Sequence, residues 1–309
     1  AAPRLAMVGT IGHALEGGTV QVWGIGCDPS ANPSAPPDQR LPYRPPPETR
    51  LALHATRGPL SERLLSGGTR PWGGGVYGDP VWLLPRHYRP RLRKRWRLGV
   101  VLHLTELAEQ SPEARAAAHL PRYAVPPSLA GEVRLIGTLC PPTTAGLQAK
   151  LEEILACERI VSTSLHGLVL AEAYGIPCLY FAFEPPAEGP ALLDLDPAGR
   201  TDARVLDFYG AFGLRRRWVY GQERGAPTDW EALIEAVDRR WEPLRLDEER
   251  LLSAWPLALR PLEPAAGGTV WQHPLIRDLP LRHRIGRLQA LDRRGWPLPL
   301  PAGGVEGSA

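Results

Sequence analysis

Lysine and cysteine are scarce in this chain, and no stretch is apolar enough to cross a membrane. Of the 36 basic residues only Lys94 and Lys150 are lysine, and the net charge of +3 is too small to indicate nucleic-acid binding. No run approaches the roughly 18 consecutive apolar residues of a membrane-spanning helix. The four cysteines lie far apart and lack CxxC or Cys/His metal spacing. They predict buried free thiols in a reducing cytoplasm, and no metal site is expected.

Proline and glycine, in contrast, are abundant. The 35 prolines and 32 glycines are scattered between apolar runs without a repeat, which indicates many turns in a folded protein. The first residues show no signal-peptide pattern, and we expect none. Because the chain begins at Ala1 and not at Met, we expect a preceding segment that includes the first elements of the fold.

Apolar runs that alternate with amphipathic segments predict an α/β fold with parallel sheets. Residues 28–47 predict a loop. The predicted strands cover residues 5–9, 20–26, 51–55, 76–77, 98–102, 133–136, 159–163 and 176–183. The predicted helices cover residues 59–66, 145–157, 165–174, 230–241 and 246–255, with a short turn or helix at 13–15. In helix 145–157 we expect Leu147, Leu151, Ile154 and Leu155 on one buried face.

A basic segment suggests where the chain divides. Seven of the twelve residues from Arg86 to Arg97 are basic, and a new apolar strand follows. We therefore predict an N-terminal lobe over residues 1–95 and a C-terminal lobe over 96–260. Residues 261–309 form a tail rich in proline and arginine.

The most informative segment runs from Arg159 to Pro177. A buried strand ends at Ser162, Thr163 and Ser164, and a helix follows at once with His166 and Gly167 in its first turn. Ligands bind at this edge of open α/β sheets. Hydroxyls, free N–H groups and a glycine that permits close approach together predict an anion site. In the alternative interpretation, Ser162 and Ser164 only cap the helix and His166 is a structural histidine.

The segment Ser162-Thr-Ser-Leu-His-Gly-Leu-Val-Leu-Ala-Glu-Ala-Tyr-Gly-Ile-Pro177 resembles the C-terminal signature of the polysaccharide pyruvyl transferases. Further similar blocks occur in the order of that family. They are Val22-Trp-Gly-Ile-Gly26, Ala55-Thr-Arg-Gly-Pro-Leu-Ser61, Gly78-Asp-Pro-Val-Trp-Leu-Leu-Pro85, Gly99-Val-Val-Leu-His103 and Asp207-Phe-Tyr209. The blocks are most similar to those of the exopolysaccharide ketal-pyruvyltransferases of the xanthan and succinoglycan type, and the likeness covers residues 5–215.

The resemblance implies a cytoplasmic transferase with two Rossmann-like lobes around a cleft, as in glycosyltransferases of the GT-B type. It implies transfer of the enolpyruvyl group of phosphoenolpyruvate onto two hydroxyls of a terminal hexose, which gives a cyclic pyruvate ketal. The implied acceptor is a lipid-linked oligosaccharide or another glycoside of exopolysaccharide synthesis. Phosphoenolpyruvate is the donor substrate, and no cofactor is implied.

Carried over block by block, the resemblance makes His166 the acid/base residue. Histidine suits proton transfer in both directions near neutral pH. The implied donor-binding residues are Arg57, Ser164, Leu165, Gly167 and His103. Ser164 stands where many family members have arginine, so one guanidinium contact is missing or supplied elsewhere.

Two of these assignments have structural alternatives. Arginine forks hold carboxylates and phosphates with bidentate geometry, which favours Arg57 as a donor ligand. Alternatively, Arg57 is a surface arginine that caps carbonyls. His103 ends a strand and lines the cleft in one interpretation, whereas in the other it is a structural histidine at a strand end.

Three carboxylates near these motifs have a structural as well as a functional interpretation. Asp79 is expected to turn the chain and cap N–H groups rather than act in catalysis. Glu172, on the helix after His166, orients a neighbour or faces solvent. Glu184 contacts acceptor hydroxyls or is a solvated loop carboxylate.

The basic segment 86–97 and the arginine-rich tail suggest a peripheral contact with anionic lipid on the inner face of the plasma membrane. The alternative for each is an ordinary charged surface. A GT-B nucleotide-sugar glycosyltransferase and a non-catalytic relative that scaffolds an assembly complex remain competing functions. A helix-start anion site would hold a diphosphate equally well.

Overall fold

The fold contains two β-sheets, each accompanied by helices. The computed structural model describes residues 4–109, 111–113, 115–182, 187–196, 201–258 and 268–279. Within these residues the strands are β1 (Arg4–Ala6), β2 (Gly18–Trp23), β3 (Thr49–Ala55), β4 (Leu98–Leu102), β5 (Val133–Gly137), β6 (Ile160–Ser162), β7 (Cys178–Ala182), β8 (Gly189–Asp194) and β9 (Arg216–Gly221). The α-helices are α1 (Pro59–Leu65), α2 (Thr144–Leu155), α3 (Leu165–Ala173), α4 (Ala203–Gly210), α5 (Trp230–Arg240), α6 (Glu248–Ser253) and α7 (Pro274–Arg277).

The first sheet is small and parallel, in the order β1-β2-β3. Val20 and Val22 of β2 are almost fully buried, because this central strand is covered on its core face by the buried side chains around Leu65. The predicted strand at residues 76–77 is only a single parallel bridge between Tyr77 and Thr56. That bridge brings the segment before Asp79 to the carboxyl end of β3.

The second sheet has six strands in the order β5-β4-β6-β7-β9-β8, and only the β8–β9 pair is antiparallel. All five residues of β4 are buried, since Val100 faces the cluster that contains α5 and Val101 faces the cluster that contains α2. If the parallel strands are numbered one to five in chain order, their order across the sheet is 2-1-3-4-5. This is one of the strand orders of doubly wound sheets. Such a sheet has a topological switch point between its first and third strands, which here are β4 and β6.

The predicted α/β class with parallel sheets is confirmed, and most predicted elements lie within a few residues of the observed ones. Two details differ. Leu147 is 48% exposed, so only Leu151, Ile154 and Leu155 form the buried face of α2. No prediction was made for β8, α4 or β9, which complete the far side of the second sheet.

The chain returns to the first sheet near its C-terminal end. The Trp23 indole donates to the carbonyl of Leu251 in α6 at 2.9 Å, and its ring meets Trp255 edge-on at 4.8 Å. Helix α6 therefore packs with the first sheet, although the predicted boundaries assign it to the second lobe. Those boundaries remain a prediction, and the tail is described only over residues 268–279. None of the helices in the described ranges is both long and apolar enough to span a bilayer.

Candidate active site

Two predicted site residues lie at the switch point of the second sheet. His103 follows β4 and Ser164 follows β6, and these strands are neighbours in parallel register. The backbone N–H of His103 donates to the hydroxyl of Thr163 at 2.8 Å, which ties the two strand ends together. The crevice outside the carboxyl ends of strands at a switch point is where ligands bind in sheets of this type.

His166, the second residue of α3, lies beside a buried carboxylate. Its Nε2 is 3.5 Å from Oδ2 of Asp79, whose side chain is fully buried, whereas the His166 side chain is 38% exposed. The other Asp79 oxygen accepts from the N–H of Val81 at 3.0 Å and caps the 3₁₀ helix Pro80–Arg86. Asp79 therefore does the capping that was predicted and also faces His166. The sequence interpretation did not anticipate this second contact.

The pairing makes the two ring nitrogens of His166 unequal. The Nε2 side faces the Asp79 carboxylate, which can orient the ring. Nε2 of His166 and Oδ2 of Asp79 are both buried and have no hydrogen-bond partner among the described residues, so their 3.5 Å contact is electrostatic. A buried carboxylate behind a half-exposed imidazole is an arrangement that can accept and return a proton.

The start of α3 is packed tightly against the sheet. A Cβ on Gly167 would lie 2.3 Å from Oγ of Ser162, so glycine is needed there for helix–sheet contact. The Leu165 side chain is buried in the apolar cluster between α3 and α4, which leaves only its backbone for binding. Ser164 occupies the N-cap position without a side-chain cap bond. The interpretation of Ser164 as a side-chain cap is therefore wrong.

Arg57 follows β3 and is fully buried, so the surface-arginine interpretation is also wrong. Its Nε lies 3.1 Å from Oδ2 of Asp207, and both side chains are completely shielded from solvent. Its Nη1 donates to the hydroxyl of Thr10 at 2.7 Å. Its Nη2 is buried and has no partner among the described residues. The guanidinium therefore joins the first sheet to α4 and is not open to a donor molecule.

The Asp207 carboxylate also accepts hydrogen bonds from Ser61 of α1. It accepts from the backbone N–H of Ser61 at 2.9 Å and from the Ser61 hydroxyl at 2.5 Å. A Cβ on Gly58 would lie 1.7 Å from the Asp207 carbonyl oxygen, so α1 and α4 meet here through their backbones. The blocks Arg-Gly-Pro and Asp-Phe-Tyr noted in the sequence therefore meet in one contact.

The His103 ring binds a second arginine at the same edge. Its Nε2 lies 2.8 Å from Nη1 of Arg204, and because a guanidinium can only donate, Nε2 must be the acceptor. Its Nδ1 then carries the proton and donates to the Thr105 hydroxyl at 2.9 Å. Burial and the neighbouring Arg204 guanidinium lower the pKa of His103 to about 4, so the ring is neutral near pH 7.

The comparison with protein families points to the same segments. The family model described as polysaccharide pyruvyl transferase matches residues 49–185, a range that contains Arg57, Asp79, His103 and His166. The match supports the family that the sequence blocks resemble. No curated protein and no solved structure gives a significant match.

Glu172 is a buried anchor, and the interpretation that it faces solvent is wrong. Glu172 is 3% exposed. Arg217 donates to its Oε1 at 2.8 Å and the Trp241 indole to its Oε2 at 3.1 Å. The carboxylate thereby joins α3 to β9 and to the segment after α5. Glu184 lies outside the described residues, so its expected contact with the acceptor stays a prediction.

A buried ion pair underlies the edge of the second sheet. Nη1 of Arg122 lies 3.8 Å from Oε1 of Glu106, and both side chains are nearly fully shielded. The Arg122 guanidinium stacks 3.9 Å from the Phe181 ring centroid, and the other Glu106 oxygen contacts the Thr163 hydroxyl. This group supports the strand ends that carry His103 and Ser164.

The sequence interpretation missed Arg204, Asp202 and the role of Asp207. Helix α4 was not predicted, although Val205, Leu206, Phe208 and Tyr209 are spaced as one buried helical face after a capping aspartate, a signal that could have found it. These residues lie outside the matched family range. Within the described ranges, no cluster of three or more His, Cys, Asp or Glu side chains is suited to a metal ion.

Proposed function

We propose that this pyruvyl transferase uses phosphoenolpyruvate to form a cyclic pyruvate ketal on a terminal hexose of an exopolysaccharide precursor. The family description implies a glycan acceptor. The donor and the ketal product are our own proposal. The observation that carries the proposal is the half-exposed His166 beside the buried Asp79 in the family-matched segment, at the ligand-binding edge of the sheet.

The reaction requires two proton movements that one imidazole can serve. Protonated His166 gives a proton to the methylene carbon of phosphoenolpyruvate, which makes C2 electrophilic. The first sugar hydroxyl then attacks C2 and gives its proton to the neutral imidazole. The C2–O bond to phosphate breaks, the second hydroxyl attacks C2, and its proton leaves with the phosphate. The products are one ketal and one hydrogen phosphate.

Asp79 has a positioning role in this scheme. Its carboxylate orients the imidazole and stabilises the charged form that precedes proton donation. The α3 N-terminus adds the free N–H groups of its first turn, which favour an anionic group near Ser164. Arg57 reaches the donor only if its contacts with Asp207 and Thr10 change. We therefore assign Arg57 a structural role, in which it holds α4 against the first sheet.

The broader architecture that we propose is a pair of Rossmann-like lobes around a cleft, as in GT-B enzymes. Two observations support this architecture. One is the strand order of the second sheet, and the other is the ion pair between Arg57, which follows β3 of the first sheet, and Asp207 of α4. The likeness of six sequence blocks supports a xanthan-type relation within the family. The four cysteines are free thiols, which favours a cytoplasmic location.

The test is incubation with phosphoenolpyruvate and a hexose glycoside, read by phosphate release and by a new ketal methyl signal in NMR spectra. We expect His166→Gln to lower kcat at least about 100-fold, the lower range for loss of an acid/base residue. The matched control is His119→Gln, since His119 is an exposed histidine outside the assigned site. Turnover with a nucleotide sugar alone would favour the glycosyltransferase. A wild-type protein that neither turns over nor binds phosphoenolpyruvate would favour a scaffold.

We also propose that the basic segment contacts anionic lipid at the inner face of the plasma membrane, where a lipid-linked acceptor would lie. Between Tyr88 and Trp96 the inward positions Tyr88 and Leu92 pack on the core. The outward positions alternate with them and are exposed arginines: Arg89, Arg91, Arg93 and Arg95. Each basic residue near an anionic surface contributes about 1 kcal/mol.

Flotation with liposomes that contain phosphatidylserine tests this contact. We expect Arg91→Gln/Arg93→Gln to reduce the bound fraction at low salt. The control is Arg215→Gln/Arg216→Gln, which removes the same charge from another exposed pair. Equal binding of wild-type protein to neutral and anionic liposomes contradicts the proposal.

A further inference from the structure

A donor that carries both a carboxylate and a phosphate needs a cationic side chain that it can reach. Of the residues assigned to the donor from the sequence, Ser164 and Leu165 are uncharged. His103 is a neutral acceptor, and Arg57 is fully buried against Asp207. A different arginine at this edge meets the requirement.

Arg204 lies in the first turn of α4 with its side chain 28% exposed. Its Nε and Nη2 donate to the two oxygens of Asp202, at 3.0 Å and 2.6 Å, and its Nη1 donates to Nε2 of His103 at 2.8 Å. A guanidinium has five N–H donors. Three are used by these partners, so one N–H on each terminal nitrogen is left for a ligand.

The partners fix the orientation of the guanidinium before a ligand arrives. Asp202 is largely buried, and although burial opposes it, hydrogen bonding from Arg204 holds the pKa of Asp202 below its ordinary value. His103 stays neutral at physiological pH and so remains an acceptor. A side chain held from two sides loses little conformational entropy when it binds an anion.

Helix α4 places this arginine at the junction of the two sheets. Arg204 and Asp207 are three residues apart and share one face of the helix. Asp207 contacts Arg57 from the first sheet, whereas Arg204 contacts His103 from the second. The Asp28 carboxylate, which follows β2, also acts electrostatically on Arg204. Arg204 therefore lies between the carboxyl ends of strands from both sheets.

We propose that Arg204 binds an anionic group of the donor, a carboxylate or a phosphate, with Asp202 and His103 as its positioning residues. The proposal rests on the proposed function for the identity of the donor. It assigns the cation of the donor site to a residue outside the family-matched segment. It also gives His103 an indirect role, since His103 holds the arginine and does not itself contact the donor.

The test compares wild-type protein, Arg204→Gln and Arg204→Lys. Loss of a charge-assisted hydrogen bond is expected to raise the KM for phosphoenolpyruvate and its Kd by about 10- to 100-fold in Arg204→Gln. Arg204→Lys keeps the charge but loses the fork, so we expect an intermediate increase. The matched control is Arg239→Gln, an exposed arginine that is also ion-paired to a carboxylate.

A second variant separates binding from folding. Arg204→Gln leaves the Asp202 carboxylate without its partner, whereas the double variant Asp202→Asn/Arg204→Gln removes both charges and is expected to melt nearer to wild type. Weak donor binding in both variants supports the proposal. Wild-type KM and Kd in the stable double variant would overturn it.

Competition with inorganic phosphate and with pyruvate identifies the group that is bound. If Arg204 holds the phosphate, Arg204→Gln weakens binding of phosphate but not of pyruvate, and the reverse holds for the carboxylate. Absence of phosphoenolpyruvate turnover in the wild type refutes the proposed function. Arg204-dependent phosphate binding in that same protein would still establish the anion site.

Discussion

The buried pair Arg57 and Asp207 gives the sharpest prediction about stability. In the wild type one Asp207 carboxylate oxygen accepts a hydrogen bond from Arg57 Nε and the other accepts one from the Ser61 N–H. In Asp207→Asn an amide nitrogen replaces one of these two acceptors, so a donor then faces a donor. The Arg57 charge also loses its counterion in a site with no solvent exposure. Removing one partner of such a pair typically costs about 3–5 kcal/mol. We expect that loss in the free energy of unfolding.

The measurement is urea denaturation of wild type and variant, followed by tryptophan fluorescence. The control is Asp238→Asn, which breaks an ion pair with Arg159 whose side chains are 21% and 45% exposed. Partly exposed pairs of this kind contribute about 1 kcal/mol or less. A loss in Asp207→Asn no larger than that of Asp238→Asn would refute the reasoning from burial.

The double variant Arg57→Met/Asp207→Leu separates structure from function. Replacing both charges with apolar side chains is expected to recover most of the stability, since neither charge is then left buried alone. If Arg57 only joins α4 to the first sheet, turnover recovers together with stability. If it also contacts the donor, stability recovers and the KM for phosphoenolpyruvate stays raised.

Three further variants test contacts that support the site. Gly167→Ala is expected to lower the melting temperature and cost about 1–3 kcal/mol by overpacking against Ser162, and an unchanged melting temperature contradicts this. Glu172→Ala leaves Arg217 buried without its counterion, so we expect a loss of about 3–5 kcal/mol in urea denaturation; a loss below 1 kcal/mol argues against the anchor. The pKa of His103 is lowered from 6.5 to about 4, so the unfolded state binds the proton first and stability falls as pH drops through that range. Urea denaturation across that range is expected to show this loss in wild type and not in His103→Gln, whereas parallel pH curves contradict the lowered pKa of His103.

Elements with a strong local signal were predictable. The strand Leu98–Leu102 is apolar throughout and was predicted with its observed bounds, because a strand covered on both faces leaves an unbroken apolar run. The start of α3 after Ser164 was also predicted, from the change of a buried strand to a helical pattern. The family was predicted from ordered sequence blocks and is confirmed by the family match.

Elements that depend on distant partners were not predictable in the same way. Strand β9 begins with Arg216 and Arg217, which are untypical of a buried strand. Arg217 is buried there only because Glu172 and the carbonyl of Glu242 accept its hydrogen bonds. Leu147 fits the helical spacing of Leu151 and Ile154, but its side chain is 48% exposed because no neighbouring element in the described ranges covers it.

The sequence by itself determined the α/β alternation, the family and the position of His166 at a strand-to-helix junction, because each depends on residues near one another in the chain. Only the tertiary structure decided that Asp79 stands behind His166, that Asp207 pairs with the buried Arg57, and that Arg204 is partly exposed with donors left for a ligand. Those outcomes depend on which side chains from distant segments reach the same edge. A buried charge must find its counterion among such neighbours, and local sequence does not specify them.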